Sequence, residues 1–257
     1  MLLGLSLART SQQYERLLIL VAAIMSSQII VGVTNDLVDL EQDAKSQPWK
    51  PLVAELVTKT DAYRFVLAAV ILLGVWLIVL EPVVSLLIIV GTIAGLAHNF
   101  WLKGTRFDWL SYFSGFTVLP ITVWLALNAW KMEQVLMIFP SSFLLVAVIL
   151  ARDLPDIESD RAAGMNGLAA RLGTKRAVYA VCFCLGMAAL LAFLVSALVA
   201  MNAMVLSIGL ILFAFMSLLN ITRYLARPSH PTLRANFRLT VVSAVTLVGF
   251  CLFALRT

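Results

Sequence analysis

With 257 residues, 61% of them hydrophobic and only 13% charged, the chain carries more apolar surface than a globular core can hide; soluble domains run at about 45–50% apolar and about 25% charged. Its solvent is therefore lipid. The net charge of +5 does not point to nucleic acid, because the basic residues stand in short stretches between apolar runs, where membrane orientation accounts for them.

The chain opens on Met1–Ala8, which reads as the end of an apolar helix, and residues 1–16 are too short and polar to span a bilayer. They lack the basic region and cleavage site of a signal peptide. Eight spans follow: Leu17–Thr34, Ala62–Leu80, Val83–Leu102, Trp109–Trp130, Gln134–Ala151, Ala177–Ala200, Met204–Tyr224 and Arg238–Leu255. Each is near the ~20 apolar residues needed to cross. The runs are continuously apolar, without the alternation a barrel strand needs, so they are helices and the fold is all-α, a polytopic transmembrane bundle. Pro120 and Pro140 are expected to kink their helices. Cys182, Cys184 and Cys251 lie inside apolar runs with no ligand spacing and read as packing residues. No soluble domain or low-complexity tract is visible, and residues 1–257 are expected to form one transmembrane domain.

Two of these spans end in the same pattern. Asn35-Asp36-Leu37-Val38-Asp39-Leu40-Glu41-Gln42-Asp43 follows the first, and Arg152-Asp153-Leu154-Pro155-Asp156-Ile157-Glu158-Ser159-Asp160 follows the fifth. Both read D-x-x-D-x-x-x-D, and Asp at i, i+3 and i+7 share one face of a helix. Six carboxylates so arranged repel one another unless a cation stands between them. A divalent metal with oxygen ligands, Mg²⁺, satisfies that need and keeps room for substrate phosphates in its shell. Four crossings separate the copies, so both acidic ends point to one side of the membrane, a parallel and not an inverted repeat.

That side also receives 15 of the 19 Lys and Arg, against Arg9, Arg16, Lys131 and Arg256 opposite. The positive-inside rule makes it cytoplasmic. Four cations there suit a phosphate-bearing ligand by neutralising charge on a leaving group: Lys50, Lys103, Arg106 and Arg161. His98, within helical reach of Lys103, and Asn99 beside it are candidate acceptor or cavity residues. His230, in Pro228-Ser229-His230-Pro231, reads as a loop residue. Phe100, Trp101, Tyr112, Phe113, Phe116 and Trp124 could steady a cation by their ring faces.

These residues resemble the UbiA superfamily of intramembrane prenyltransferases. The resemblance rests on N-D-x-x-D-x-x-x-D at Asn35–Asp43, K-P-L at Lys50–Leu52, L-K-x-T at Leu102–Thr105 and D-x-x-D-x-x-x-D-R-x-x-G at Asp153–Gly164. It implies a helical bundle in which Asn35, Asp36, Asp39 and Asp43 form the first metal and diphosphate motif, and Asp153, Asp156 and Asp160 the second. Lys103 corresponds to the family's diphosphate-contacting Lys. A Mg²⁺-dependent transfer of an isoprenyl group, from a polyprenyl diphosphate to an aromatic or other lipophilic acceptor, is the activity implied. Such chemistry belongs to quinone or lipid biosynthesis in a bacterial or archaeal cell membrane.

Three features depart from the family pattern. The family usually has nine helices, and the resemblance leads one to expect the first to be absent here or reduced to Met1–Ala8. A Tyr commonly stands one turn before the Lys, where this chain has His98 and Asn99. Glu55 stands where many members have Gly. Other readings of the same residues are a prenyl-diphosphate cyclase, or a transferase onto a phosphosugar, lipid alcohol or tetrapyrrole. From other classes come a transporter, although no carboxylate lies mid-membrane, and an inactive truncated paralogue.

Overall fold

The computed structural model describes residues 2–105, 107–162, 164, 167–199, 201–226 and 229–255. Twelve α-helices order the described chain: α1 Leu2–Leu7, α2 Ser11–Val38, α3 Leu40–Ser46, α4 Lys59–Val79, α5 Pro82–Ala97, α6 Asp108–Ala126, α7 Ile138–Asp153, α8 Ile157–Ala162, α9 Leu168–Leu172, α10 Thr174–Leu198, α11 Ala203–Ala226 and α12 His230–Ala254. No strand occurs among the described residues. Among the described residues, eight helical segments are long and apolar enough to cross a membrane, one for each span expected from the sequence. Large apolar side chains such as Leu18, Ile78, Met204, Ile211 and Phe215 stand exposed on them, as lipid-facing residues do.

Local chemistry sets the helix ends. Thr10 caps α2 through a reciprocal box with Gln13. Thr58 accepts from the Asp61 N–H at 3.1 Å to start α4, and Pro82 opens α5. Pro140 turns out to lie in the first turn of α7. Its missing N–H costs no helical bond there, so the kink expected at this proline is not required. Pro120 does lie inside α6. The last helix begins eight residues before the apolar run, at His230, with Ser229 at its N-cap and Pro231 in its first turn. Those polar first turns carry no hydropathy signal, which is why they read as a loop.

The chain divides into two compact units, Met1–Lys103 with Ser114–Trp130, and Gly104–Phe113 with Lys131–Thr257. In the first, α2 packs against α4 and α5 around Leu17, Leu20, Ala23, Ile30, Leu73 and Ile88. The Ser27 and Thr92 hydroxyls share a buried hydrogen bond of 2.7 Å between α2 and α5, the kind of polar tie that holds membrane helices where the hydrophobic effect cannot. In the second, α7 packs on α10 and α11 on α12. Ala147, Ala177, Ala188 and Ala192 are buried among these helices, and small residues let membrane helices approach closely. Asn220 of α11 donates to Thr240 of α12 at 2.6 Å.

Candidate active site

The first acidic motif is built where α2 gives way to α3. Asp36 lies in the last turn of α2, Asp39 at the break with φ −86° and ψ 2°, and Asp43 in the first turn of α3. The i to i−4 bonding persists through the break, Asp39 N–H donating to Asn35 C=O at 2.9 Å and Asp43 N–H to Asp39 C=O at 2.8 Å. The carboxylates therefore keep helical spacing although the helix is not continuous, a refinement of the single face expected from i, i+3, i+7. Lys50 bridges two of the three carboxylates: its Nζ reaches Asp36 Oδ1 at 2.8 Å and Asp43 Oδ2 at 2.7 Å. Burial works against the Lys50 charge, but the hydrogen bonds and negative charges of Asp36 and Asp43 outweigh it and raise its pKa above that of ordinary lysine.

Lys103 comes to Asp39 from another element. After Ala97 the helix widens to i to i−5 bonding over His98–Leu102, with Lys103 N–H donating to His98 C=O at 3.0 Å. A turn of this type shifts the register of whatever follows and is frequent at functional sites. Here it delivers the Lys103 ammonium into an ion pair with the buried Asp39. Asn99 is buried and donates to the Val31 carbonyl of α2 at 2.8 Å. It is thus a tie between helices, where the sequence suggested a cavity residue. His98 is half-buried at the start of the wide turn.

The second motif is broken too, by its own proline. Pro155 has no N–H to continue α7, and Leu154–Asp156 tighten to i to i−3 spacing before α8. Asp153 thus ends α7, Asp156 sits in the tight turn and Asp160 lies in α8. Arg152 donates through Nε to Asp153 Oδ1 at 2.7 Å and through Nη1 to the Tyr112 hydroxyl at 2.6 Å. Its guanidinium also lies 4.7 Å from the centre of the Tyr112 ring. His230 Nε2 stands 3.7 Å from Asp156 Oδ1. Burial, and then the charges of Asp153 and Asp156, push the Asp160 carboxyl above its usual pKa; Arg152 opposes them and Asp108 adds to them.

The four cations expected at the site divide. Lys50 and Lys103 are on the first motif. Arg161 instead donates to the Ala170 carbonyl, from Nε at 2.9 Å and from Nη2 as well, so it ties α8 to α9. Arg106 lies outside the described residues. Sequence reasoning gave no site role to Asp108 or Arg152. Adjacent residues on a helix do not face each other, so Arg152 beside Asp153 carried no sign of their contact. Of the ring candidates, Phe100, Trp101 and Phe116 are exposed, Trp124 is buried, and Tyr112 is covered by Arg152.

Among the described residues no three His, Cys, Asp or Glu side chains converge tightly enough to hold a metal ion. In the first motif, ammonium groups stand on the carboxylates instead. The donor set itself, carboxylate oxygens at each motif, is the hard type that Mg²⁺ takes, and these cation-neutralised acids fit it chemically.

No curated protein sequence matches the chain. Among solved structures, one described as digeranylgeranylglyceryl phosphate synthase in membranes is similar with a TM-score of 0.77 at 15% identity, over 99% of this chain and 89% of the other. A UbiA homologue from Aeropyrum pernix K1, solved in its apo form, is similar with a TM-score of 0.75 at 17% identity, over 97% of this chain and 91% of its own. The fold is theirs, and it makes this a multi-pass membrane protein. The UbiA prenyltransferase family profile matches residues 1–252, so this chain, with its doubled acidic motif and lysine-bound carboxylates, belongs to the UbiA prenyltransferase family and is a prenyltransferase.

Proposed function

We propose that the enzyme transfers an isoprenyl group from a polyprenyl diphosphate to a lipophilic acceptor, with Mg²⁺ held by Asp36, Asp39 and Asp43 in one motif and Asp153, Asp156 and Asp160 in the other. The observation that carries this is the pairing of Lys50 and Lys103 with all three carboxylates of the first motif. Acids and cations kept together at the end of a membrane span are what a metal-bound diphosphate requires. When bound, Mg²⁺ supplies Lewis-acid neutralisation of the departing diphosphate. The protein's own part is electrostatic. Lys50 and Lys103, held beside the carboxylates that would take the metal, would offer their ammonium groups to phosphate oxygens and favour the charge that grows as the allylic C–O bond breaks. Asn35 supports the same motif, and surrounding apolar helices keep water from the carbocation until the acceptor attacks it and releases a proton.

The acceptor is aromatic or another lipophilic nucleophile. The fold likeness to a digeranylgeranylglyceryl phosphate synthase favours including a lipid alcohol bearing phosphate. The charge asymmetry of the loops supports a cytoplasmic working face, and the family resemblance favours a bacterial or archaeal cell membrane. Purified enzyme incubated with Mg²⁺, radiolabelled isoprenyl diphosphates of graded length and a panel of aromatic and lipid-alcohol acceptors should yield a prenylated lipid. Asp39→Ala and Asp156→Ala should each lower turnover by at least about 100-fold while the protein still inserts. Unchanged turnover in both variants removes the site assignment.

A further inference from the structure

Arg152 and Tyr112 form an arrangement that metal binding by the second motif does not by itself explain. The guanidinium makes three contacts at once: Nε to Asp153 Oδ1, Nη1 to the Tyr112 hydroxyl, and its carbon over the Tyr112 ring at 4.7 Å from the ring centre. A lysine could supply the charge but not the fork of donors that reaches Asp153 and the Tyr112 hydroxyl together. Neighbours on a helix diverge, so Arg152 must curl back to reach Asp153, and Tyr112 is what it curls against.

The charges explain why such an arrangement is needed. Asp108 adds a fourth negative charge to those of Asp153, Asp156 and Asp160. A loosely held arginine there would move among these carboxylates and neutralise whichever one a metal needs. Fixed on Tyr112, its charge is directed through Nε to Oδ1 of Asp153. The same contact covers one face of the Tyr112 ring, so that ring is better understood as a seat for Arg152 than as a surface for a carbocation.

We propose that Tyr112 is a positioning residue of the second acidic motif: through Arg152 it orients Asp153 for the metal-bound diphosphate. This rests on the proposed Mg²⁺-dependent prenyl transfer and extends it to a residue that acts through Arg152. Outer partners of metal ligands commonly set 10- to 100-fold in metal affinity.

The test uses the full chain in lipid nanodiscs, with Mn²⁺ as a paramagnetic stand-in for Mg²⁺, read by electron paramagnetic resonance. Thermal midpoints are taken with and without Mg²⁺ and inorganic diphosphate. Tyr112→Phe keeps the ring and loses the hydroxyl, Tyr112→Leu loses both, and Arg152→Lys keeps only the charge. Mn²⁺ affinity should fall by about 10-fold or more in Tyr112→Leu and Arg152→Lys, less in Tyr112→Phe, and no further in the Tyr112→Leu/Arg152→Lys double variant. The stabilisation by Mg²⁺ and diphosphate should shrink in the same order, and KM for the isoprenyl diphosphate should rise more than kcat falls. Mn²⁺ affinity within twofold of wild type in the single variants, whatever happens to ligand-free stability, overturns the proposal. Should Tyr112→Leu fail to fold, Tyr112→Phe decides by the same measurement. Asp153→Ala is the control. If wild type itself binds no Mn²⁺, the parent reading of the site fails; if wild type binds and Tyr112→Leu binds equally, only the positioning role fails.

Discussion

Glu55 stands in left-handed backbone, with φ at 55°, at the place where many relatives by motif have glycine. The turn that requires this conformation also holds Lys50: Ala54 N–H donates to Lys50 C=O at 2.8 Å and Leu56 N–H to Pro51 C=O at 2.9 Å. A residue with a Cβ pays roughly 1–2 kcal/mol for left-handed backbone, part of which glycine returns through its freer unfolded chain. Glu55→Gly should therefore stabilise the protein by about 0.5–1 kcal/mol, with a rise of a few degrees in the thermal midpoint. A lowered midpoint would mean that the glutamate side chain makes a compensating contact. At this scale the acids were legible and their partners only in part. Three Asp at fixed spacing declare themselves, but the choice of Lys50 for Asp36 and Asp43 depends on the 47–57 turn. The choice of Lys103 for Asp39 depends on one extra residue in a helical turn. Neither has a sign in composition.

That extra residue belongs to the scale of elements. The spans could be read because apolar runs of this length have few other homes, and the break at Pro155 follows from a missing N–H. The wide turn at His98–Leu102 follows from neither. It becomes intelligible only through the contact of α5 with α2, where a Cβ built on Gly95 would come 2.8 Å from Val31 Cγ2 and 2.9 Å from Cγ1. Those distances are too short for real atoms, and the β-branched valine has little freedom to retreat. Gly95 thus permits the approach, Asn99 fastens it on the Val31 carbonyl, and Lys103 is carried to Asp39. Gly95→Ala should cost about 1–3 kcal/mol of overpacking and depress activity beyond its effect on folded yield, because it pushes Lys103 from its aspartate. Pairing it with Val31→Ala, which removes the opposing methyls, should restore much of both. If Gly95→Ala leaves turnover per folded molecule unchanged, the wide turn does not position Lys103.

Over the whole chain, two independent asymmetries have to agree. The apolar exterior of eight spans calls for a bilayer, and the order of spans in the sequence leads one to expect 15 of the 19 Lys and Arg on the side of the acidic motifs. Helix α4 makes the agreement testable within a single element. Its 21 residues measure about 32 Å at 1.5 Å per residue, close to the hydrocarbon thickness. Lys59 at its start is exposed and follows the first motif, whereas Glu81, just past its end, pairs with Arg16 at 3.1 Å on the opposite side. The three native cysteines are free and can be replaced by alanine. In that background Lys59→Cys should react with a membrane-impermeant maleimide only in inverted vesicles, which display the cytoplasmic face. Glu81→Cys should react only in right-side-out vesicles. Lys and Arg in short loops resist translocation, so a second outcome has a definite meaning. Labelling of Lys59→Cys from outside would place the acidic motifs, and the prenyl transfer proposed for them, on the far face, where the cell supplies no cytosolic isoprenyl diphosphate.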